Sequence, residues 1–160
     1  MQALREQYAD VMRELISAPM TAIHGDMHLD NVLFHEPHAG RRATIIDWQG
    51  ASRGPCALDA MLFMVDALPV ATRRANGDEL LRLYFAALVE HGASGYSREQ
   101  FLRDGRLALL QRLSGTVTWL ARAEPGTLEG RERAIIDDIL ERGQLFTAIH
   151  DYAAGDALPS

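Results

Sequence analysis

Apolar residues near the start of the chain fall at Leu4, Tyr8, Val11, Met12, Leu15 and Ile16, the recurrence of one helix face, and Pro19 follows as a stop. The spacing predicts an amphipathic helix that must bury that face against a partner surface. A short apolar approach, Met20 to His24, leads into a polar stretch from Gly25 to Asn31. Val32-Leu33-Phe34 and Thr44-Ile45-Ile46 then stand on either side of His38-Ala39-Gly40-Arg41. Branched and aromatic residues flanking a glycine-containing connection predict a hairpin of two short strands.

From Ala57 the period becomes helical. Leu58 to Leu68 reads as one helix, and Asp78 to His91 as a second that ends at Gly92, a residue suited to a left-handed C-terminal cap. Ser97-Arg98-Glu99-Gln100 is a capping-box signal for a third long helix carrying Phe101, Leu109, Leu113, Val117 and Leu120, broken at Pro125-Gly126. Ile135, Ile136, Ile139, Leu140, Phe146 and Ile149 predict a last helix from about Glu129 to Tyr152, before a frayed tail from Gly155 to Ser160. No internal repeat, low-complexity segment or linker interrupts this order. The expected fold class is mostly α with one small β-hairpin, an α+β domain over residues 1–154 followed by the tail at 155–160.

Composition narrows the function classes. With 160 residues, 48% of them hydrophobic, the chain has the size and apolar content of one globular domain. A net charge of -6 and no basic run argue against a polyanion-binding surface, so nucleic acid is not an expected partner. The longest apolar stretch, around Ala57 to Val70, is interrupted by Asp59 and Asp66 and is too short for a membrane span. A single cysteine, Cys56, and an N-terminus without a signal-peptide core fit a reducing cytoplasm.

The chemistry is concentrated in His24-Gly25-Asp26-Met27-His28-Leu29-Asp30-Asn31, which packs carboxylates, an amide and two imidazoles into eight residues. Loops of that polarity usually serve a site. Strands returning antiparallel would carry Asp47 back beside Asn31. A carboxylate and an amide that converge can hold a hard divalent cation such as magnesium through oxygen, with positions left for water and phosphate. Asp26 is then free to orient an attacking hydroxyl and accept its proton. This division of labour matches the kinase template of a catalytic-loop Asp, an Asn five residues on and a second Asp after a hairpin.

The residues His24-Gly25-Asp26, His28, Asn31 and Ile46-Asp47-Trp48, with Asp59 downstream, resemble the aminoglycoside phosphotransferase and choline-kinase superfamily. The Asp47-Trp48-Gln49 variant looks most like its choline-kinase-like and ecdysteroid-kinase-like branch. The match spans roughly Ile23 to Met64. The resemblance implies the C-terminal helical lobe of a protein-kinase-like fold. It implies Asp26 as catalytic base, Asn31 and Asp47 as magnesium ligands, and ATP or another nucleoside triphosphate as phosphoryl donor. His24 and His28 would support the loop, and Asp59 would be the family's buried aspartate, starting a helix beneath the loop and fixing it by hydrogen bonds. The acceptor would be a hydroxyl of a small molecule, bound by the helices between Asp78 and Tyr152.

Two departures stand out. Leu29-Asp30 replaces the Pro-Gly common between the second histidine and the asparagine. All 16 basic residues are Arg, so no lysine can pair with nucleotide phosphates, and only one helix precedes the loop. The chain looks like half an enzyme, its nucleotide-clamping N-terminal lobe absent. That leaves a separate N-lobe polypeptide or a homo-oligomer open as partners.

Other readings compete residue by residue. Asp26, Asn31 and Asp47 taken singly would serve turns and caps. His24, His28, His35 and His38 could suggest zinc, but their spacing reproduces no HxH or HExxH arrangement, and the last two fall at the hairpin turn as solvated residues. Cys56 reads as an inert buried thiol, Trp48 as packing against the loop, Trp119 as core, and Arg73-Arg74 with Arg131 and Arg133 either as solvated helix faces or as residues a lobe that binds acidic substrates would use. A non-catalytic remnant and a helical interaction module are the rivals to a kinase.

Overall fold

The computed structural model describes residues 2–36, 42–122 and 144–153. In these the fold class is as expected, mostly helical with a small antiparallel β region. Helix α1 spans Gln2–Ser17, followed by strands β1 (Met20–Ile23), β2 (Val32–Phe34), β3 (Ala43–Ile45) and β4 (Ser52–Pro55). Helices α2 (Cys56–Ala67), α3 (Val70–Glu90), α4 (Arg98–Arg122) and α5 (Gln144–Ala153) complete the order.

The hairpin of β2 and β3 forms with Val32 opposite Ile45 and Phe34 opposite Ala43. It is not the only β unit: β1 pairs antiparallel with β4, Met20 opposite Pro55 and Ile23 opposite Ser52. One hairpin is therefore corrected to two sheets, the inner nested within the outer. Ser52-Arg53-Gly54-Pro55 carries no strand propensity of its own, and only pairing with the apolar Met20–Ile23 segment makes it extended.

Helix α2 is the centre of the molecule. Seven of its twelve residues are buried (Cys56, Ala57, Ala60, Met61, Leu62, Met64 and Val65), which accounts for its nearly unbroken apolar run. All of these but Leu62 pack with Leu81 of α3, Tyr96, Phe101 and Leu109 on or just before α4, and Leu145 and Ala148 of α5. Phe101 lies between three aromatic neighbours, its ring centroid 5.8 Å from Tyr84, 5.5 Å from Phe85 and 6.3 Å from Tyr96. Helix α1 buries Leu15 against Leu107 and Ala108 of α4, the partner surface its amphipathic face required.

The caps follow the sequence signals closely. The Ser97 hydroxyl accepts the Gln100 N–H at 3.1 Å and the Gln100 side chain accepts the Ser97 N–H at 2.9 Å, the reciprocal bonds of a capping box. At the end of α3, Gly92 has φ +100, and the N–H groups of Gly92 and Ala93 donate to Val89 and Leu88, as in a Schellman cap.

Helix α3 begins at Val70 instead of Asp78. The stretch Thr72-Arg73-Arg74-Ala75-Asn76-Gly77 lacks an apolar face, yet the Arg73 N–H donates to Pro69 O at 2.9 Å and both Arg73 and Gly77 are buried. Burial of Arg73 also corrects its reading as a solvated face residue; Arg74 is exposed as expected. His38, the Pro125-Gly126 break, Arg131 and Arg133, the first part of the last helix, the tail and the Trp119 side chain lie outside the described residues. No helix among those described is long and apolar enough to cross a membrane.

Candidate active site

The nesting of the two sheets builds the site. The segment from β1 to β2 (His24–Asn31) and the segment from β3 to β4 (Ile46–Ala51) both bridge the outer sheet to the inner one, so they run side by side. Two contacts tie them: the Ile46 N–H donates to Asn31 O at 3.0 Å, and His24 Nε2 lies 2.8 Å from Ile46 O. Asp47, next in the chain, is thereby brought beside Asn31, as the hairpin reading required.

Gly25 makes the close approach possible. It has φ +81, and a Cβ there would lie 2.5 Å from Gly50 O across the two segments. Asp59, in the first turn of α2, secures the same point from below: its carboxylate accepts the His24 N–H at 2.6 Å and the Gly25 N–H at 3.0 Å. It is half-buried, not buried as the resemblance implied. Two charge-assisted bonds from one carboxylate fix the loop on the most deeply packed helix.

His24 is 2% exposed and its ring chemistry is determined by its partners. The Asp26 N–H donates to Nδ1 at 3.3 Å, so Nε2 carries the proton and donates to the Ile46 carbonyl. Trp48 packs on the ring at 4.8 Å between centroids and donates its indole N–H to Ile45 O at 3.1 Å. His24 thus couples the two segments without reaching solvent.

Asn31, 6% exposed, uses its amide nitrogen twice, donating to Asp26 O at 2.9 Å and to His28 Nε2 at 3.1 Å. Because Asp26 O can only accept, the amide cannot be flipped, and Oδ1 has no protein partner among the described residues. His28 accordingly accepts at Nε2, which also lies 3.6 Å from the Asp26 carboxylate, while Nδ1 is 3.8 Å from Asp30. Asp30, in the position that departs from Pro-Gly, thus gives His28 an acidic neighbour.

Asp47 is the only non-glycine residue with positive φ among those described, at +60. A left-handed aspartate is tolerated at a cost that the surrounding structure has to hold in place. It precedes the 3-10 turn Trp48–Gly50 yet makes no capping bond, and its carboxylate has one long contact, 3.4 Å to Gln49. Asp26 likewise keeps an exposed carboxylate. The site therefore presents three sets of hard oxygens, from Asp26, Asn31 and Asp47, with few protein donors satisfying them.

No three His, Cys, Asp or Glu side chains among the described residues cluster as a metal cage would. An amide oxygen and a carboxylate oxygen make an incomplete shell, and that donor set suits magnesium, which keeps water and phosphate as its other ligands. Gly50, which sequence reasoning had not singled out, also serves the geometry, and Gly25 and Ile46, quoted only as members of the motif, do so through a close approach and a backbone carbonyl. Their signal is weak, since glycine is common in turns and a backbone carbonyl has no sequence mark.

Cys56 is buried at the start of α2, and burial pushes its thiol above the ordinary range, consistent with an inert role. Its carbonyl accepts the Tyr84 hydroxyl at 3.2 Å, and burial pushes that phenol up to about 12. His35, exposed, bonds to Thr44 at 2.7 Å on the hairpin surface and takes no part in the site.

Residues 1–94 match the model of the ecdysteroid kinase-like family. Over 78 residues the chain is 31% identical to a Caenorhabditis elegans protein named as an uncharacterized kinase-like protein. The aligned stretch is 49% of this chain and 20% of that relative, so the match spans about a fifth of the relative's length. No solved structure matches the chain. The family match takes in 94 of 160 residues, including every residue from His24 to Asp59 discussed above, and the chain belongs to the ecdysteroid kinase-like family.

Proposed function

We propose that the chain is the C-terminal, catalytic lobe of an ATP-dependent phosphotransferase that moves the γ-phosphoryl group onto a hydroxyl of a small molecule. The observation that carries this reading is the pairing of the two segments, Ile46 N–H to Asn31 O and His24 to Ile46 O, which sets Asn31 and Asp47 beside the Asp26 loop. Family membership supports the kinase-like chemistry.

In this mechanism Asp26 orients the acceptor hydroxyl and takes its proton as the oxygen attacks phosphorus, while its loop is held by Asp59 and His24. Asn31 Oδ1 and the Asp47 carboxylate hold magnesium, which when bound neutralises charge on the nucleotide phosphates. The fixed amide of Asn31 and the left-handed backbone of Asp47 spare the site reorganisation on binding. His28 supports Asn31 by accepting from the same amide nitrogen that donates to Asp26 O.

A second reading is a non-catalytic lobe that at most binds or interacts. The absence of lysine from these 160 residues favours it, whereas the apolar surface beside the site, with Phe34 72% and Trp48 52% exposed, does not separate the readings. A surface of this kind fits cover by further protein, and the nucleotide-clamping lobe, in the same or a separate polypeptide, is our assignment for it. A cytoplasmic site of action follows from the nucleotide requirement and remains part of the proposal.

Calorimetric titration with Mg-ATP separates the two readings. Micromolar binding that is lost in Asp47→Ala, with the fold retained, is the outcome expected of the catalytic lobe. In a form extended to include the nucleotide-clamping lobe, Asp26→Ala should lower kcat by about 10³-fold or more with Mg-ATP binding unchanged. Turnover that survives Asp47→Ala would remove the role assigned to it.

A further inference from the structure

A second polar region lies away from the loop, where α3 meets α5. Arg73, Arg74, Asp78, Asp151 and Tyr152 line a cavity of about 290 Å³. A Cβ on neighbouring Gly77 would lie 3.1 Å from Met64 Cε and 2.5 Å from the Tyr152 hydroxyl. The cavity is thus close to Met64, more than a turn of α2 beyond Asp59.

Arg73 is 1% exposed, and its guanidinium is incompletely paired. Nη2 donates to Thr147 Oγ1 at 2.9 Å and reaches Asp151 Oδ2 at only 3.5 Å. Nε and Nη1 are buried with no hydrogen-bond partner among the described residues. Asp151 is engaged chiefly by Arg74, through Nε at 3.0 and 3.2 Å and Nη2 at 2.9 Å. Asp78 shares the cavity wall but forms no ion pair with either arginine among the described residues. Buried donors on a charged group are rarely left without an acceptor, and an unobserved ion is one of the few explanations for such a group.

We propose that this cavity is a binding site for a small oxyanion, a carboxylate or a phosphate group, held by Arg73 and Arg74. Two guanidinium groups share one carboxylate, so a further anionic oxygen at the Arg73 wall supplies the acceptor its N–H groups lack. The Tyr152 phenol, pushed up from its ordinary range by burial, stands on the same wall as a hydroxyl donor. Asp78 is the opposing charge that limits affinity. This site is separate from the catalytic loop, none of whose residues lines it, and its test in EDTA does not depend on the phosphoryl-transfer reading.

The test is thermal denaturation and calorimetry of the 160-residue protein with inorganic phosphate or acetate, against chloride at matched ionic strength, in EDTA to silence divalent cations. Phosphate or acetate should raise Tm above the chloride control. Arg74→Gln should weaken the apparent affinity roughly tenfold, the size of one lost charge-assisted contact. Asp78→Asn should strengthen it about threefold by removing a like charge. Both positions are on the exposed side of the cavity, so neither variant depends on the fold tolerating loss of buried Arg73. A Tm that is the same in all three salts, or an affinity indifferent to both substitutions, overturns the site. Response to phosphate alone assigns the ligand class as phosphate; response to both assigns it as oxyanion in general.

Discussion

The two ends of α2 solve opposite electrostatic problems. At its start, Asp59 accepts the His24 and Gly25 N–H groups, and the paired segments leave acceptors over: the carboxylates of Asp26 and Asp47 and the amide oxygen of Asn31. Beyond its other end, Arg73 leaves donors over, with Nε and Nη1 buried and unpaired among the described residues. One region is left with spare acceptors and the other with spare donors. A buried charged group without its partners, as Arg73 is, pays desolvation without a return and is better explained by a ligand than by stability alone.

Breaking the first region has the largest expected effect. Asp59→Ala removes both acceptors of the His24 and Gly25 N–H groups and should cost about 3 kcal/mol, two charged hydrogen bonds at the usual net value. In a domain of this size that lowers Tm by roughly 6–12 °C, readable by calorimetry. Loss of stability under 1 kcal/mol would mean the loop is held by its strands and not by α2.

Gly25→Ala isolates the contact between the two segments. Its Cβ would be forced against Gly50 O in a backbone conformation that disfavours alanine, and the expected cost is about 2 kcal/mol. Amide exchange should quicken across residues 46–51 as well as in the loop, if the two are one unit. Faster exchange confined to the loop would separate them.

The smallest effect sharpens the other end. The Arg74 guanidinium, with Arg73 behind it, holds the Asp151 carboxyl below the usual carboxylate range. A depressed native pKa means that this pairing contributes stability above the unfolded value near pH ~3.9 and loses it as pH falls through the native one. Asp151→Asn should therefore flatten the stability profile below about pH 4 and leave its neutral portion nearly parallel to the original. An unchanged acid limb in urea melts would show that Asp151 contributes little pH dependence, for all its short contacts with Arg74.

Much of this architecture can be read along the chain. Helix α1, the capping box at Ser97 and the glycine cap at Gly92 rest on contacts a few residues apart, and the inner hairpin on one short connection from Phe34 to Ala43, so residue type and spacing suffice. The loop residues could be named in the same way, because the kinase-like pattern of Asp26, Asn31 and Asp47 requires only order and a hairpin between its parts. Strand β4 and the first two turns of α3 could not. Ser52-Arg53-Gly54-Pro55 is extended because β1 lies alongside, and Thr72 to Gly77 is helical because Arg73 and Gly77 are buried.

Local order and hydrophobic period thus determined most of the elements this polypeptide forms and which side chains are the candidates for its chemistry. The tertiary structure alone decided what those side chains can do. Nesting one sheet inside the other turned Asn31 and Asp47 into neighbours, and a carboxylate 35 residues from His24 became the anchor of its loop. An arginine that looks solvated became a buried charge by meeting Thr147 and Asp151, 74 and 78 residues away. Pairings over such separations depend on how the helices pack, and packing energy is spread over a whole core that no short stretch of sequence records.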